Sequence, residues 1–331
     1  MLDDRKTAIL AAVVQEYIAT AQPVGSGSIA RTPGIEVSSA TVRSELSALE
    51  HDEYLIQPHT SAGRIPTDKG YRYFVDNLAT PGRLDQTSER QVGEFFSAAH
   101  GRIEELLHQT SNLLAEMTHS AAVVVGPRAD AVAVRNVQLV GLSDSAATVV
   151  VVFANGSVEH VALDLADGDD ADRLALASAH LSRELDGSVL ERVESLDPSG
   201  DVGVDRLVAA ALDRMRTIAE ADNVYTGGAS EVARAFDAVE VVRSVLHTLE
   251  QQFVVVSLVS DIVNRGMSVA IGVEHGVQPL SACSVVVAPV VVDGEQLGSV
   301  GVLGPTRMDY PQALATVDVV SQQLGHRIEE R

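Results

Sequence analysis

Val37–Arg72, VSSATVRSELSALEHDEYLIQPHTSAGRIPTDKGYR, decides how the rest of the chain is read. Val42, Leu46 and Leu49 recur at i, i+4 and i+7, one apolar stripe of a short helix. Ser38 and Ser39 supply N-cap oxygens at its start. At 100° per residue the opposite face carries Ala40, Ser44, Ser47 and His51, flanked by Thr41 and Arg43. A face of small polar groups with one arginine suits a helix that enters a groove. Leu55–Gln57 then reads as a short strand, which Pro58 confines to a sheet edge. The small polar loop HTSAGR comes next, and Thr67 caps a new helix with Asp68 in its first turn. Helix, strand and basic-tipped hairpin are the layout of a winged helix-turn-helix, whose recognition helix lies in the major groove while its wing touches backbone or minor groove.

Upstream, Asp3–Ala19 is predicted as a helix with Ile9, Leu10, Val13, Val14 and Tyr17 inward. Pro23 blocks its continuation, and Ser26 is placed as the cap of a second helix, Gly27–Arg31, ending at Thr32-Pro33-Gly34. Ser26 and Ser28 have two readings: phosphate ligands on a crossing helix, or caps of a turn. The expected DNA-facing set is Ser26, Ser28, Ser38, Ser39, Ala40, Thr41, Arg43 and Ser44 on the helices. The wing and the helix after it add His59, Thr60, Ser61, Arg64, Lys69 and Arg72.

Four long segments, EYIATAQPVGS, VSSATVRSELSALE, LIQPHTSAGRIPTDKGYRYFVDNL and GVLGPTRMDY, closely resemble the HrcA family of bacterial heat-shock repressors. The resemblance extends, more weakly, over nearly the whole chain. It implies a winged-helix DNA-binding domain over residues 1–79. It further implies a GAF-like α+β domain over 80–164 and 223–331, with a linker helix at 88–119, interrupted by a mainly helical dimerisation insertion at 165–222. It also implies a cytoplasmic homodimeric repressor of chaperone genes. Its partners would be a double-stranded inverted-repeat operator and a GroEL-type chaperonin that maintains it against inactivation by heat. Two positions depart from the family pattern: Gly27 stands where a basic residue is common, and Glu53 where a glycine often ends the recognition helix. Without that glycine the helix is expected to end differently.

Composition bounds these readings. A length of 331 residues allows two or three domains, and 46% hydrophobic content supports packed cores. No apolar run reaches the roughly 18 residues that span a bilayer. The N-terminus MLDDRKT has no apolar signal region, and a single cysteine, Cys283, excludes an internal disulfide. The net charge is −22; residues 1–79 hold seven Lys+Arg against ten Asp+Glu, so −19 falls on the remainder. Few phosphate contacts are therefore expected, with base contacts and dimerisation carrying the binding.

Farther along, Val92, Phe96, Ala99, Ile103, Leu106, Thr110, Leu113 and Met117 keep a 4-and-3 spacing. This is either a dimer seam or, the reading Thr110 favours, a helix packed on its own sheet. His100, His108 and His119 lie on it with no i, i+4 pair, so no metal site is expected. Strands are predicted at AAVVVG, VRNVQLVGLS, ATVVVVFANG, SVEHVALDL, FVVVSLVS, MSVAIGVE, CSVVVAPVVV and GSVGVLG. Helices are predicted around Ser230–Leu249 and Tyr310–Ile328 and within 165–222. Gly298, Gly301 and Gly304 read as close-packing positions in a twisted sheet. Walker A, HExxH, CxxC and GxSxG patterns are absent, so neither an enzyme nor a cofactor site is expected. The competing reading is a GAF-like sensor of small molecules, or an enzyme, that carries a helix-turn-helix, with Arg307 and Asp309 lining its pocket.

Overall fold

The computed structural model describes the whole chain except residues 1, 61, 78–83, 100–101, 127–132, 155, 167, 220–223, 237, 266–267 and 331. At the N-terminus, α1 (Asp4–Thr20) is capped by the Asp3 carboxylate, which accepts from Lys6 N at 2.8 Å. It packs through Ile9, Leu10, Val13 and Val14. α2 (Ser26–Ile29) is shorter than expected, and its cap is Gly25 rather than Ser26, with no side-chain bond. α3 (Ser39–His51) buries Val42, Leu46 and Leu49 as its periodicity predicts, and Ser38 caps it.

α3 does not end differently for lack of glycine. Glu53 itself takes the left-handed conformation, φ 62°. The bonds Glu53 N→Glu50 O (3.0 Å) and Tyr54 N→Leu49 O (2.9 Å) complete a Schellman motif. A two-residue pair comes next, β1 (Leu55–Ile56) against β2 (Ile65–Pro66). α4 (Asp68–Asn77) starts at Thr67, whose hydroxyl accepts from Gly70 N.

The expected linker helix is two helices, α5 (Gln86–Ala98) and α6 (Ile103–Thr118), broken at Ala99, whose backbone is extended. His100 and Thr80-Pro81-Gly82 lie outside the described residues. Val92, Phe96, Ile103, Leu106, Thr110 and Leu113 are all buried. The 4-and-3 stripe is therefore an intramolecular face.

β3 (Ala121–Val125) enters a five-stranded antiparallel sheet. Before that sheet continues, the chain builds a second one: β4 (Val134–Ser143), β5 (Ala146–Phe153) and β6 (Val158–Asp164), in that spatial order. α7 (Ala171–Leu185) and α8 (Val202–Ala219) pack on one of its faces. Along β5 every second residue, Ala147, Val149, Val151 and Phe153, is buried in this cluster. Residues 165–222 hold α7 and α8 as the helical reading expected, but the unit they build is not confined to that range. It takes in the three strands from Val134, which were expected in the larger sheet.

Re-entry is at β7 (Val224–Gly227), which was not predicted. Its Val224 pairs with Val125 of β3, so the insertion leaves and returns at adjacent strand ends. α9 (Ala229–Ala235) and α10 (Val239–Glu250) replace the single helix expected at Ser230–Leu249. FVVVSLVS is not a strand but part of α11 (Gln252–Asn264). Val255, Leu258, Val259 and Ile262 are buried at i, i+3, i+4 and i+7, while Phe253 is exposed. MSVAIGVE contributes only the short β8 (Val269–Ile271), ending in a 3-10 turn, Gly272–His275. β9 (Cys283–Val292), β10 (Glu295–Pro305) and α12 (Tyr310–Glu329) complete the chain.

The large sheet has order β7-β3-β10-β9-β8. Ala122, Val124, Val286, Val300 and Val302 point toward α5, α6 and α12, while Ala121, Val123, Val285, Val287 and Leu303 point toward α9–α11. Helices on both faces explain its uninterrupted valine runs. Glycine is required along β10: a Cβ at Gly298 would sit 2.3 Å from Val125 O, and one at Gly301 2.9 Å from Val287 Cγ1. Cys283 is buried, and desolvation pushes its thiol up to about 12, so it is a small core hydrophobe.

Candidate nucleic-acid interface

The cap of α3 builds the start of the surface. Ser38 Oγ accepts from Thr41 N at 3.2 Å and lies 3.0 Å from Thr41 Oγ1, which fixes the first turn. Ser39, Ala40, Arg43, Ser44 and Ser47 lie on the side away from Val42, Leu46 and Leu49, and the first turns of that side are exposed. Arg43 has no ion pair with any described residue, so its guanidinium is free to meet a ligand.

The β1–β2 hairpin is tied close to this helix. Arg64 forms an isolated bridge with Val24, through Val24 N→Arg64 O (2.9 Å) and Arg64 N→Val24 O (2.8 Å). Gly63 lets the strands approach, since a Cβ there would lie 2.3 Å from Val24 O. Gln57 Nε2 donates to Thr60 O (3.0 Å) and Ala62 O (2.9 Å), bracing the loop from within. His59 and Thr60 remain exposed at its tip; Ser61 lies outside the described residues. Between α2, α3 and the hairpin is a cleft of about 610 Å³ lined by Ser26, Arg43, Ser47, Gln57, Thr60 and Arg64 among others. Of these, Ser47 and Gln57 were not in the expected DNA-facing set; Gln57 braces the loop. A polar residue between a strand and Pro58 was its only sequence signal.

Four expected ligands are committed elsewhere. Ser28 Oγ donates to Glu16 Oε1 at 2.5 Å, joining α2 to α1. Arg64 is ion-paired with Glu50 at 2.8 Å, and only 15% of its side chain is exposed. Lys69 Nζ donates to Asp52 O at 2.8 Å and lies 4.7 Å above the Tyr54 ring, closing the end of α3. Arg72 is bound by Glu274, Asp76 and Val269 O. These side chains hold the module together, which removes them from the freely reaching cations expected from sequence.

The expected pocket residues serve the scaffold as well. Asp309 caps α12 by accepting from Gln312 N at 3.2 Å, and Arg307 Nη2 donates to Ala235 O at 3.0 Å. Among the described residues no group of three or more His, Cys, Asp or Glu is placed to hold a metal, and no helix is long and apolar enough to cross a membrane.

Residues 104–314 match the family profile described as HrcA protein C terminal domain. The chain belongs to the HrcA family. Two relatives named heat-inducible transcription repressor HrcA show the same over the full length. The one from Moorella thermoacetica is 34% identical, covering 99% of this chain and 98% of its own. The one from Acidothermus cellulolyticus is 36% identical, covering all of both chains. A solved structure titled "Crystal structure of a hypothetical protein at 2.2 A resolution" shares the fold. Its TM-score is 0.70 at 22% identity, over 100% of this chain and 99% of that one. As an HrcA-family member the chain is a heat-inducible transcription repressor, and not an enzyme.

Proposed function

We propose that this HrcA-family chain represses chaperone genes in the cytoplasm as a homodimer that places one α3 per subunit in successive major grooves of an inverted-repeat operator. The observation that carries this reading is the capped, exposed first turns of α3, where Ser39, Ala40, Arg43 and Ser44 stand beside a cleft shared with the wing. A helix laid in the major groove reads bases with its N-terminal residues. The wing tip, His59 and Thr60, then meets the backbone. On this reading α1–α4 form a winged helix-turn-helix, the five-stranded sheet and its helices form a GAF-like domain, and the unit from β4 to α8 is the dimerisation insertion.

Chaperonin control fits the topology. β3 and β10 are adjacent strands, Val123 facing Gly301, although the whole insertion separates them in sequence. Such non-local pairing slows folding, and partly open forms expose the valine-rich edges that a chaperonin captures.

Gel-shift competition tests the operator reading: a scrambled repeat should compete poorly, and equal competition refutes it. Arg43→Ala should cost about 1–3 kcal/mol and relax preference at one base position. Lys69→Ala should lower stability and leave the salt slope unchanged, because its ammonium already serves Asp52 O.

A further inference from the structure

The face of α4 turned away from the wing meets the central domain at three separate points, in β8 and the 3-10 turn after it and at the start of α12. Arg72 makes a forked pair with Glu274: Nε donates to Oε1 at 3.0 Å and Nη2 donates to Oε2. Nη2 also donates to Val269 O at 2.8 Å, and Nη1 to Asp76 Oδ1 at 3.1 Å. Glu274 is itself held, because its Oε2 accepts from Ile271 N at 2.8 Å. One turn earlier, the Asp68 carboxylate lies against Gly272, where φ is +56° and an added Cβ would be 2.2 Å from Oδ2. Between these, the Tyr71 ring lies 5.9 Å from that of Tyr310. Both rings are buried.

Three contacts at i, i+3 and i+4 of one helix leave it little freedom to rotate. A bidentate arginine–carboxylate pair adds orientation to attraction, which a lysine in the same place would not do. On its other side, α4 grips the end of α3. Lys69 reaches Asp52 O, and Thr67 Oγ1 donates to Glu53 O at 2.6 Å and Tyr54 O at 3.1 Å. Short bonds therefore run without a gap from α3 through α4 to β8. The direction in which α3 points is fixed by the central sheet.

We propose that the Arg72–Glu274 junction is a positioning device that sets the half-site spacing the protein accepts. The proposal rests on the reading of the chain as a dimer on an inverted repeat. In such a dimer the separation and phase of the two α3 helices are fixed by two copies of this junction. Changing the spacing by two base pairs turns one half-site by roughly 70° and moves it by about 7 Å. A rigid junction cannot adapt to that change, whereas a loosened one loses only the entropy of ordering on binding.

The test measures affinity of the full-length protein for the operator and for versions with two base pairs added to or removed from the centre. The native chain should lose about tenfold or more at either altered spacing. In Arg72→Met and in Glu274→Ala the loss should shrink to about threefold or less, with a few-fold weaker binding at native spacing. Glu274→Gln, which keeps an acceptor for Ile271 N, serves if the alanine variant does not fold. Both Glu274 variants lie in the 3-10 turn after β8, outside the α3–hairpin surface, so their effect does not come from a lost DNA contact. Unchanged spacing discrimination in both positions overturns the proposal. So does an Arg72→Met variant weakened equally at all spacings with a salt slope shallower by about one, since Arg72 would then be a phosphate ligand. If the native chain does not prefer the repeat over its scramble, the operator reading fails instead.

Discussion

Glu53→Gly should stabilise the N-terminal module, and the size of the gain comes from the end of α3. Glu53 is the residue after the helix cap and holds φ at 62°. For a residue with a Cβ, left-handed backbone costs about 1–2 kcal/mol. Its exposed carboxylate also lies at the negative end of the helix dipole, unfavourable by about 0.3–1 kcal/mol. Glycine removes both terms but returns about 0.5–1 kcal/mol through the freer unfolded chain. The backbone bonds of the motif, and Glu53 O as acceptor for Thr67, do not involve the side chain. The net gain is about 1 kcal/mol. A chain with several cores need not unfold in one step, so native-state hydrogen exchange is the suitable assay. Amides of α3 that open with the module should exchange about fivefold more slowly in the variant, while those of β9 and β10 stay unchanged. Equal or faster exchange in α3 would refute the reasoning and mean that the Glu53 side chain contributes more than its backbone strain costs.

Three further outcomes are expected. Gly27→Lys should tighten binding to all sequences and steepen the salt slope by about one, because a Cβ at Gly27 meets nothing within 4 Å and the position lines the cleft; parallel gel shifts at several salt concentrations check it. Burial holds the His275 imidazole below its usual 6.5, and its Nδ1 lies 3.2 Å from Val277 N, so it is kept neutral in the fold. The stability it contributes is present above 6.5 and lost as pH falls through the lower folded value; denaturant titrations from about pH 7.5 to about pH 5 should show a loss that His275→Gln reduces. Excising 127–223 and joining Gly126 to Val224 with about four Gly/Ser residues should leave the five-stranded sheet intact, since Val125 and Val224 are already paired. Sedimentation should then give a monomer, and a dimer of unchanged affinity would move the self-association to the central domain.

The stripe of α3 was legible because it is set by neighbours within a few residues; the glycine spacing of β10 showed that something approaches closely, but not that it is Val125 O and Val287 from distant strands. Strand-formers mark a strand, but not the sheet it joins. ATVVVVF looks as valine-rich as CSVVVAPVVV, yet it pairs with VRNVQLVGLS and β6 in the smaller sheet. FVVVSLVS misled because β-branched residues outweighed its helical spacing, and helix α11 covers one face of a sheet that makes both of its sides apolar. Glu53 misled differently: the bonds closing α3 are worth more than the strain of a non-glycine residue in the left-handed region.

The basic residues show most clearly where local pattern stops being informative. Arg64 of the hairpin loop meets Glu50 of α3, and Arg72 meets Glu274 from 202 positions away. Neither partner is visible as a local pattern. Once these cations and Lys69 are engaged inside the protein, Arg43 is the exposed arginine left lining the cleft beside α3. A module with so little free charge, attached to a body carrying most of the −22, binds weakly alone. On the proposed dimeric reading its affinity comes from joining two modules, where the second contact gains from effective concentration. That gain is lost when the geometry forbids both contacts at once. On the proposed reading, heat therefore need not touch α3 to silence the protein. It is enough to open the central sheet that aligns the two modules, and its long-range strand pairing makes that sheet slow to restore without help.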